Sequence, residues 1–519
     1  MLEESKPRNV VPRWRSSSMT VSTNEAQFGK AKNKVNYEAD LINSSVEFSE
    51  KPTVPIASEL MFLAKEAGDI GLAKTAADFI LSKESEIRSA SLIKFAKSTG
   101  FSIASPTISV SKTGKEFLKD ARQSLSIEYR NPVLLVDVAR ELTALGHHKS
   151  ALRYIKAAVS LAPDSRFVVR SAARYFLHVG DFEQAHQILR RSAYVKTDPW
   201  VQASELAVAA LRNKPSTLSK QSFRALLETK IIGPEKAELV SAVATMELNS
   251  GSIKNAKQLF NKALVNPNDN SLAQAEWAAE KLKLVVDDRA LGIPLSFEAN
   301  SNNAYRKMEI SDAIIHAENW ALDEPFASRP FNALSYLYSL EDNYEMALSS
   351  AEKAITIGDE EKSSLQLNRL FAKIQLNEID ESYIELLRLS KHTDAKAHAV
   401  HLLANYGALA YATGDHVQGR LFYEKSIEVA RKRHDAHSEG QALAFYARAA
   451  VAHLDPQVTQ ILERASKQVL KLPSQGAIYV VSRLVSEEKR KALISAASSR
   501  VQKREWSWDA ATNTLRMLD

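Results

Sequence analysis

Two neighbouring stretches of the chain superpose at an offset of 34 residues, and this periodicity limits the fold more than any other feature. With Gly146 laid on Gly180, Leu135 falls on Val169, Ala139 on Ala173, Ala151 on Ala185 and Ala158 on Ser192. Within each stretch apolar residues recur at i, i+3, i+4 and i+7, the pattern of one buried helix face. Each stretch reads as a helix, a tight turn and a second helix. A unit of this kind cannot bury both faces alone, so it must stack on further units. A second 34-residue spacing joins Ala313 to Ala347, with Pro325 closing one unit and Phe331, Leu334, Tyr338, Tyr344 and Ala354 filling the next. Weaker units surround Gly68 and Ala73, Gly251 and Ala263, and Gly407, Gly414 and Gly419. The interval from Ala185 to Ala256 is 71 residues, not a multiple of 34, so the array is divergent.

Composition agrees with helix. In 519 residues there are only 16 Gly and 16 Pro, too few for a protein needing a turn after every short strand. A 45% hydrophobic content excludes global disorder. The absence of cysteine excludes disulfides, thiolate metal sites and cysteine nucleophiles. The net charge of +6 is too dilute to imply nucleic acid. No uninterrupted apolar run approaches a membrane span, and the start carries Glu3 and Glu4 without an apolar stretch, so a cytoplasmic protein is expected.

At its fixed positions the unit resembles the tetratricopeptide repeat family. Residues 132–165 supply Leu135, Ala139, Gly146, Ala151, Ala158 and Pro163 where that family places a large apolar residue, small residues, a turn glycine and a closing proline. Residues 166–199 supply Val169, Ala173, Gly180, Asp181, Phe182, Ala185 and Ser192, with Thr197 in place of the proline. The resemblance implies an all-α protein, an α-solenoid of stacked antiparallel helix pairs coiled into a right-handed superhelix with a concave face.

Five segments follow. Residues 1–52, rich in Ser, Asn and charge and broken by Pro7, Pro12 and Pro52, are expected to be a flexible tail. Residues 53–286 are a first block of repeats, 287–303 an irregular connector, 304–470 a second block, and 471–519 basic capping helices ending near Trp506 and Trp508.

Catalytic patterns are missing. No GxxxxGK[ST] or GxGxxG phosphate loop occurs; Gly414–Arg420 comes nearest and occupies a repeat turn. His398 with His401, and His434 with His437, are one helical turn apart, but no cysteine or HExxH pattern completes a zinc site. Arg431–His437 reads as cations at a helix C-terminus. No GxSxG elbow is present. Neither an enzyme nor a cofactor or metal is expected.

The resemblance also assigns the concave face. The family's groove positions give Arg140, then Arg170, Arg174 and His178, then Arg212, with Arg329, Asn332 and Tyr336 from the second block. Converging arginines suit carboxylates, so the expected partner is a protein offering an acidic segment. Asn332 and Tyr336 suit an extended peptide, whose backbone pairs with amides while an aromatic packs its side chains. The favoured function is a protein-interaction scaffold or adaptor. Alternatives are a ligand-responsive regulatory solenoid and an RNA-associated helical repeat protein, though nucleic acid is disfavoured and a membrane is not expected.

Overall fold

A computed structural model describes residues 8–15, most of 38–99, parts of 118–125, then 130–216, 234–358, 362–391, 397–485, and two short strands at 506–509 and 514–517. After α1 (Glu38–Glu50) the helices run in pairs. The first are α2 (Val54–Ala67) with α3 (Ile70–Ser82), and α4 (Ala90–Ser98). Then come α5 (Pro132–Ala144) with α6 (His148–Leu161), α7 (Arg166–His178) with α8 (Phe182–Arg191), and α9 (Pro199–Leu211). They continue as α10 (Pro234–Asn249) with α11 (Ile253–Ala263), α12 (Asp269–Leu282) with the short α13 (Asp288–Leu291), and α14 (Phe297–Arg306) with α15 (Ile310–Asp323). The remainder are α16 (Ser328–Leu340) with α17 (Tyr344–Ile357), α18 (Lys362–Gln375) with α19 (Ile379–Ser390), α20 (Ala399–Ala412) with α21 (His416–Lys432), α22 (Ala436–Ala452) with α23 (Val458–Gln468), and α24 (Gln475–Leu484). The fold is an all-α solenoid of tetratricopeptide-like helix pairs.

The residues of the 34-residue pattern explain the pairing. Ala139, Ala151, Ala158, Ala173 and Ala185 are all fully buried, so their small side chains set how closely the helices cross. The turn between paired helices needs one residue with left-handed φ. Glycine fills it at Gly146 and Gly180, both at φ +77°, and no atom lies within 4 Å of a Cβ built there. Backbone conformation, not space, therefore demands glycine at Gly180, where a crowded crossing would have been the other reason. The following aspartate starts the second helix: Asp181 accepts from the Gln184 amide and Asp415 from the Gln418 amide.

Space does matter at α20 and α21. A Cβ on Gly407 would lie 2.6 Å from the Tyr423 ring, and one on Gly419 would lie 2.6 Å from the Tyr411 ring. Each glycine receives the other helix's tyrosine.

Three segment assignments change. In the expected tail residues 8–15 are held among the helices and Glu38–Glu50 is helical, while 1–7 and 16–37 lie outside the described residues. The 287–303 connector contains α13 and most of α14, since Asp287 caps α13 through the Arg289 amide and Phe297, Ala299 and their neighbours bury an apolar face. By compactness the chain divides elsewhere: Leu2–Asn302 with Ile315–Pro330 forms one unit, and Asn303–Ile314 with Phe331–Asp519 another. In the capping segment α24 is helical, but the last described elements are strands β1 (Trp506–Asp509) and β2 (Thr514–Met517), antiparallel with Trp506 opposite Met517. The alternation of Trp, Ser and Trp suits a strand better than a helix.

Candidate functional site

In the first unit, residues 8–15 form an extended segment surrounded by the first helices of successive pairs. Val10 is buried against Leu206, Leu239, Val243 and their neighbours. Trp14, fully buried, meets the Tyr175 ring edge-on at 6.0 Å and Phe326 at 5.0 Å. The segment's backbone is read at every third residue. Gln274 Nε2 donates to the Arg8 carbonyl at 2.6 Å, Asn270 Nδ2 to that of Val11 at 2.9 Å, and Arg140 Nε to that of Trp14 at 3.0 Å. A three-residue period is that of an extended, polyproline-like chain, which Pro12 favours.

Its three arginines meet carboxylates. Glu298 accepts from Arg8 Nε at 2.8 Å, from Arg8 Nη2 at 2.9 Å and from Arg13 Nη2 at 2.5 Å, and also binds Arg329. Arg13 reaches Asp269 and Glu324 as well. Arg15 spans both oxygens of Asp323, at 3.0 and 2.9 Å, and Asp269 at 2.8 Å. Burial by itself would push Glu298, Asp269 and Glu324 upward; the guanidiniums outweigh it. Arg329, Arg8 and Arg13 hold Glu298 well below the ordinary range, and Asp269 and Glu324 are also lowered, by Arg15 with Arg13 and by Arg13 with Arg174 respectively.

The structure gathers five of the expected groove residues here. Arg140 donates to the backbone carbonyl of Asp323 and to Glu141. Arg170 donates to Glu238 at 2.6 Å and stacks over Trp200. Arg174 lies 5.1 Å over Phe326, with His178 edge-on to the same ring, and Arg329 binds Glu298. Arg212 is not among them, pairing with Glu183 and His186 on α8. Arg140, Arg170 and Arg212, expected to converge on a partner's carboxylates, already have partners within the chain: α8, α10 and α15 bring acidic or carbonyl groups that the groove positions of α5, α7 and α9 do not contain. Asp269, Glu298 and Asp323–Glu324 stand at unequal intervals, and nothing in one dimension aims those carboxylates at residues 8–15.

The second unit holds Asn332 and Tyr336. With Asn368, Asn405 and Gln441, Asn332 belongs to a row of amide residues spaced by 36, 37 and 36 residues on α16, α18, α20 and α22. Asn368 Nδ2 donates to Asn332 Oδ1 at 3.0 Å, and Gln441 Nε2 to the Tyr336 hydroxyl at 2.8 Å. Burial raises the Tyr336 hydroxyl well above its ordinary value, so it stays protonated and lies 3.2 Å from the Tyr305 hydroxyl. A cavity of about 80 Å³ opens beside them, lined by Tyr336, Phe371, His401, Asn405, Gln441 and Phe445 among others. Asn405 is only 5% exposed, and its Oδ1 has no hydrogen-bond partner among the described residues. Burial pushes His401 down to about 4, leaving a neutral imidazole at pH 7. Neither His401 with His398 nor His434 with His437 is joined by a further ligating side chain, and among the described residues no cluster of three such groups could hold a metal. No helix among the described residues is long and apolar enough to cross a membrane.

No family model matches the chain, and no curated protein matches its sequence. Solved structures similar to it include the APC/C hetero-tetramer Cut9–Hcn1, at 13% identity over 89% of this chain and 93% of that one, with a TM-score of 0.37. Yeast Tom70 aligns at 14% identity over 75% and 93%, with a TM-score of 0.29. A tetratricopeptide repeat protein from Parabacteroides merdae aligns at 14% over 64% and 98%, with a TM-score of 0.27. At these scores the superpositions carry nothing about function, and the helix-pair assignment rests on the turns and crossings described above.

Proposed function

We propose that this protein is an interaction scaffold that holds an extended segment of a partner protein along the amide row of its second unit. The observation that carries this reading is the Asn405 carboxamide. It is buried, it lines a cavity, and its Oδ1 lacks a partner among the described residues, so it is an acceptor open to a donor such as a peptide N–H. Asn332, Asn368 and Gln441 stand at repeat spacing on the neighbouring first helices, and Phe371 and Phe445 offer apolar contact for side chains. The chemistry has a counterpart in the first unit, where Gln274 and Asn270 read the carbonyls of an extended segment.

Because amides recognise backbone instead of charge, this reading does not require the acidic partner suggested by the arginines, of which Arg140 already faces the backbone carbonyl of Asp323 and Arg170 and Arg329 the carboxylates of Glu238 and Glu298. An acidic segment would have to compete with those carboxylates. The test is affinity capture with quantitative mass spectrometry, comparing the native chain with Asn368→Ala/Asn405→Ala. Binding of a defined set of partners should fall at least tenfold while the helical signal is retained. Undiminished capture of every partner by the double variant would refute the amide-row reading.

A further inference from the structure

The channel around residues 8–15 has the character of a receptor with its ligand in place. A strand of core is fixed by backbone ladders and apolar contact. This segment is fixed instead by side-chain donors to its carbonyls at residues 8, 11 and 14, by a tryptophan set between Tyr175 and Phe326, and by arginines on carboxylates. Those carboxylates fit their occupant and little else. If the segment left, Glu298 would keep only Arg329 among the described residues, while Asp269 would lose the guanidiniums of Arg13 and Arg15 and Glu324 that of Arg13. Buried carboxylates without a counter-charge are costly, so the vacant channel favours a cationic guest and disfavours a phosphate backbone or an acidic peptide.

Connectivity does not force the segment into place. Residues 16–37 separate Arg15 from α1, and 22 residues can span up to about 75 Å. Being part of the same chain, the segment competes for the channel at a high local concentration.

We infer that this channel is a binding site for arginine-bearing extended protein segments with an aromatic residue between arginines, and that residues 8–15 are a resident ligand occluding it against a partner of the same chemistry. The partner is a protein segment presenting an Arg-Trp-Arg-like face. It gains access only by outcompeting the tethered copy.

The experiment uses the 519-residue chain with a protease site introduced between residues 20 and 30. A fluorescent peptide, KPRNVVPRWRSS, copies residues 6–17. Cutting releases the tether but leaves the segment bound, so the protein is not first exposed to an empty channel. Excess labelled peptide should then replace the resident fragment, as native mass spectrometry would record, with unchanged helical signal. In anisotropy titrations the cut protein should bind the peptide at least tenfold more tightly than the uncut chain. A peptide with both Arg13 and Arg15 replaced by Glu should fail to exchange. Retention of the resident fragment in the presence of excess peptide would overturn the proposal, because the segment would then be an integral part of the core. So would exchange that is indifferent to the charge-reversed peptide, or exchange accompanied by unfolding.

Discussion

Replacing Glu298 by Ala removes the one carboxylate shared by three guanidiniums. In the native chain Arg8, Arg13 and Arg329 all reach it, and its side chain is 1% exposed. Breaking a buried ion pair by deleting one partner costs roughly 3–5 kcal/mol, because the surviving charge is stranded. Here the lower end applies. Arg8 keeps Gln274 and Asn270, and Arg13 keeps Asp269 and Glu324. The chain also has an escape that a core substitution lacks, since residues 8–15 can leave the channel and carry two of the three cations back to water. A loss of about 3 kcal/mol then appears as release of that segment, with the released fraction rising about a hundredfold. Hydrogen exchange followed by mass spectrometry on an N-terminal peptide should show residues 8–15 exchanging faster by that order, while α5 and α7 keep their protection. Glu298→Gln should behave similarly, since its NH₂ would point donors at guanidinium donors. Exchange within threefold of the native chain in both variants would refute the claim that Glu298 anchors the segment.

The other expectations concern pH and packing. Burial, with Glu47 and Asp198 nearby, raises Glu59 to about 7 against the opposing Arg166. A carboxyl with a raised folded pKa contributes stability below its unfolded value near 4.5 and loses it as pH rises through 7, so melting temperatures measured from pH 4.5 to 7.5 should depend less on pH in Glu59→Gln than in the native chain. Asp269, Glu298 and Glu324 have the opposite sign. Their lowered values stabilise the docked segment above the ordinary carboxylate range, and acidification below about pH 4 should speed exchange of residues 8–15, which a pH series would detect. Gly407→Ala should cost about 1–3 kcal/mol by driving Cβ into the Tyr423 ring, whereas Gly180→Ala should cost about 1 kcal/mol for the left-handed turn alone. Urea unfolding of Gly407→Ala, Gly180→Ala and Gly407→Ala/Tyr423→Phe separates the two causes, because removing the hydroxyl leaves the ring clash and should give no rescue. Ala185→Leu overpacks the fully buried α7–α8 crossing and should likewise lose about 1–3 kcal/mol, with an unmoved melting curve refuting the assigned register.

The repeat was legible in one dimension because its cause is local. A small residue at a helix crossing and a left-handed turn residue recur at fixed distance from each other, so Ala139, Gly146, Ala151 and Ala158 announce a helix pair without reference to the rest of the chain. Units whose turn is made by other residues were harder to find. Asn213 and Asn377 adopt φ of 51° and 66° where Gly146 and Gly180 stand in their own units, and side chains in that region carry no unique signature; the units turning at Met308 and Asp342 were legible only through the spacing of Ala313 and Ala347. Repeat position also put Arg140, Arg170 and Arg174 at equivalent places on first helices, because a helix face is a matter of periodicity, whereas Arg329 was expected beside Asn332 and Tyr336 in the second block.

What those arginines face belonged to tertiary structure. Glu238 meets Arg170 across 68 residues, and Glu298 meets Arg8 across 290. Residues 8–15 looked like a tail because an eight-residue stretch with Pro12 and three arginines has no periodicity of its own and too little apolar surface to order itself. Its order comes from outside, from Trp14 between Tyr175 and Phe326 and from carboxylates supplied by α12, α14 and α15 with the adjoining Glu324. Local propensity writes helices into a sequence, whereas the charge of a groove is a sum over side chains that only folding brings within a few ångströms of each other.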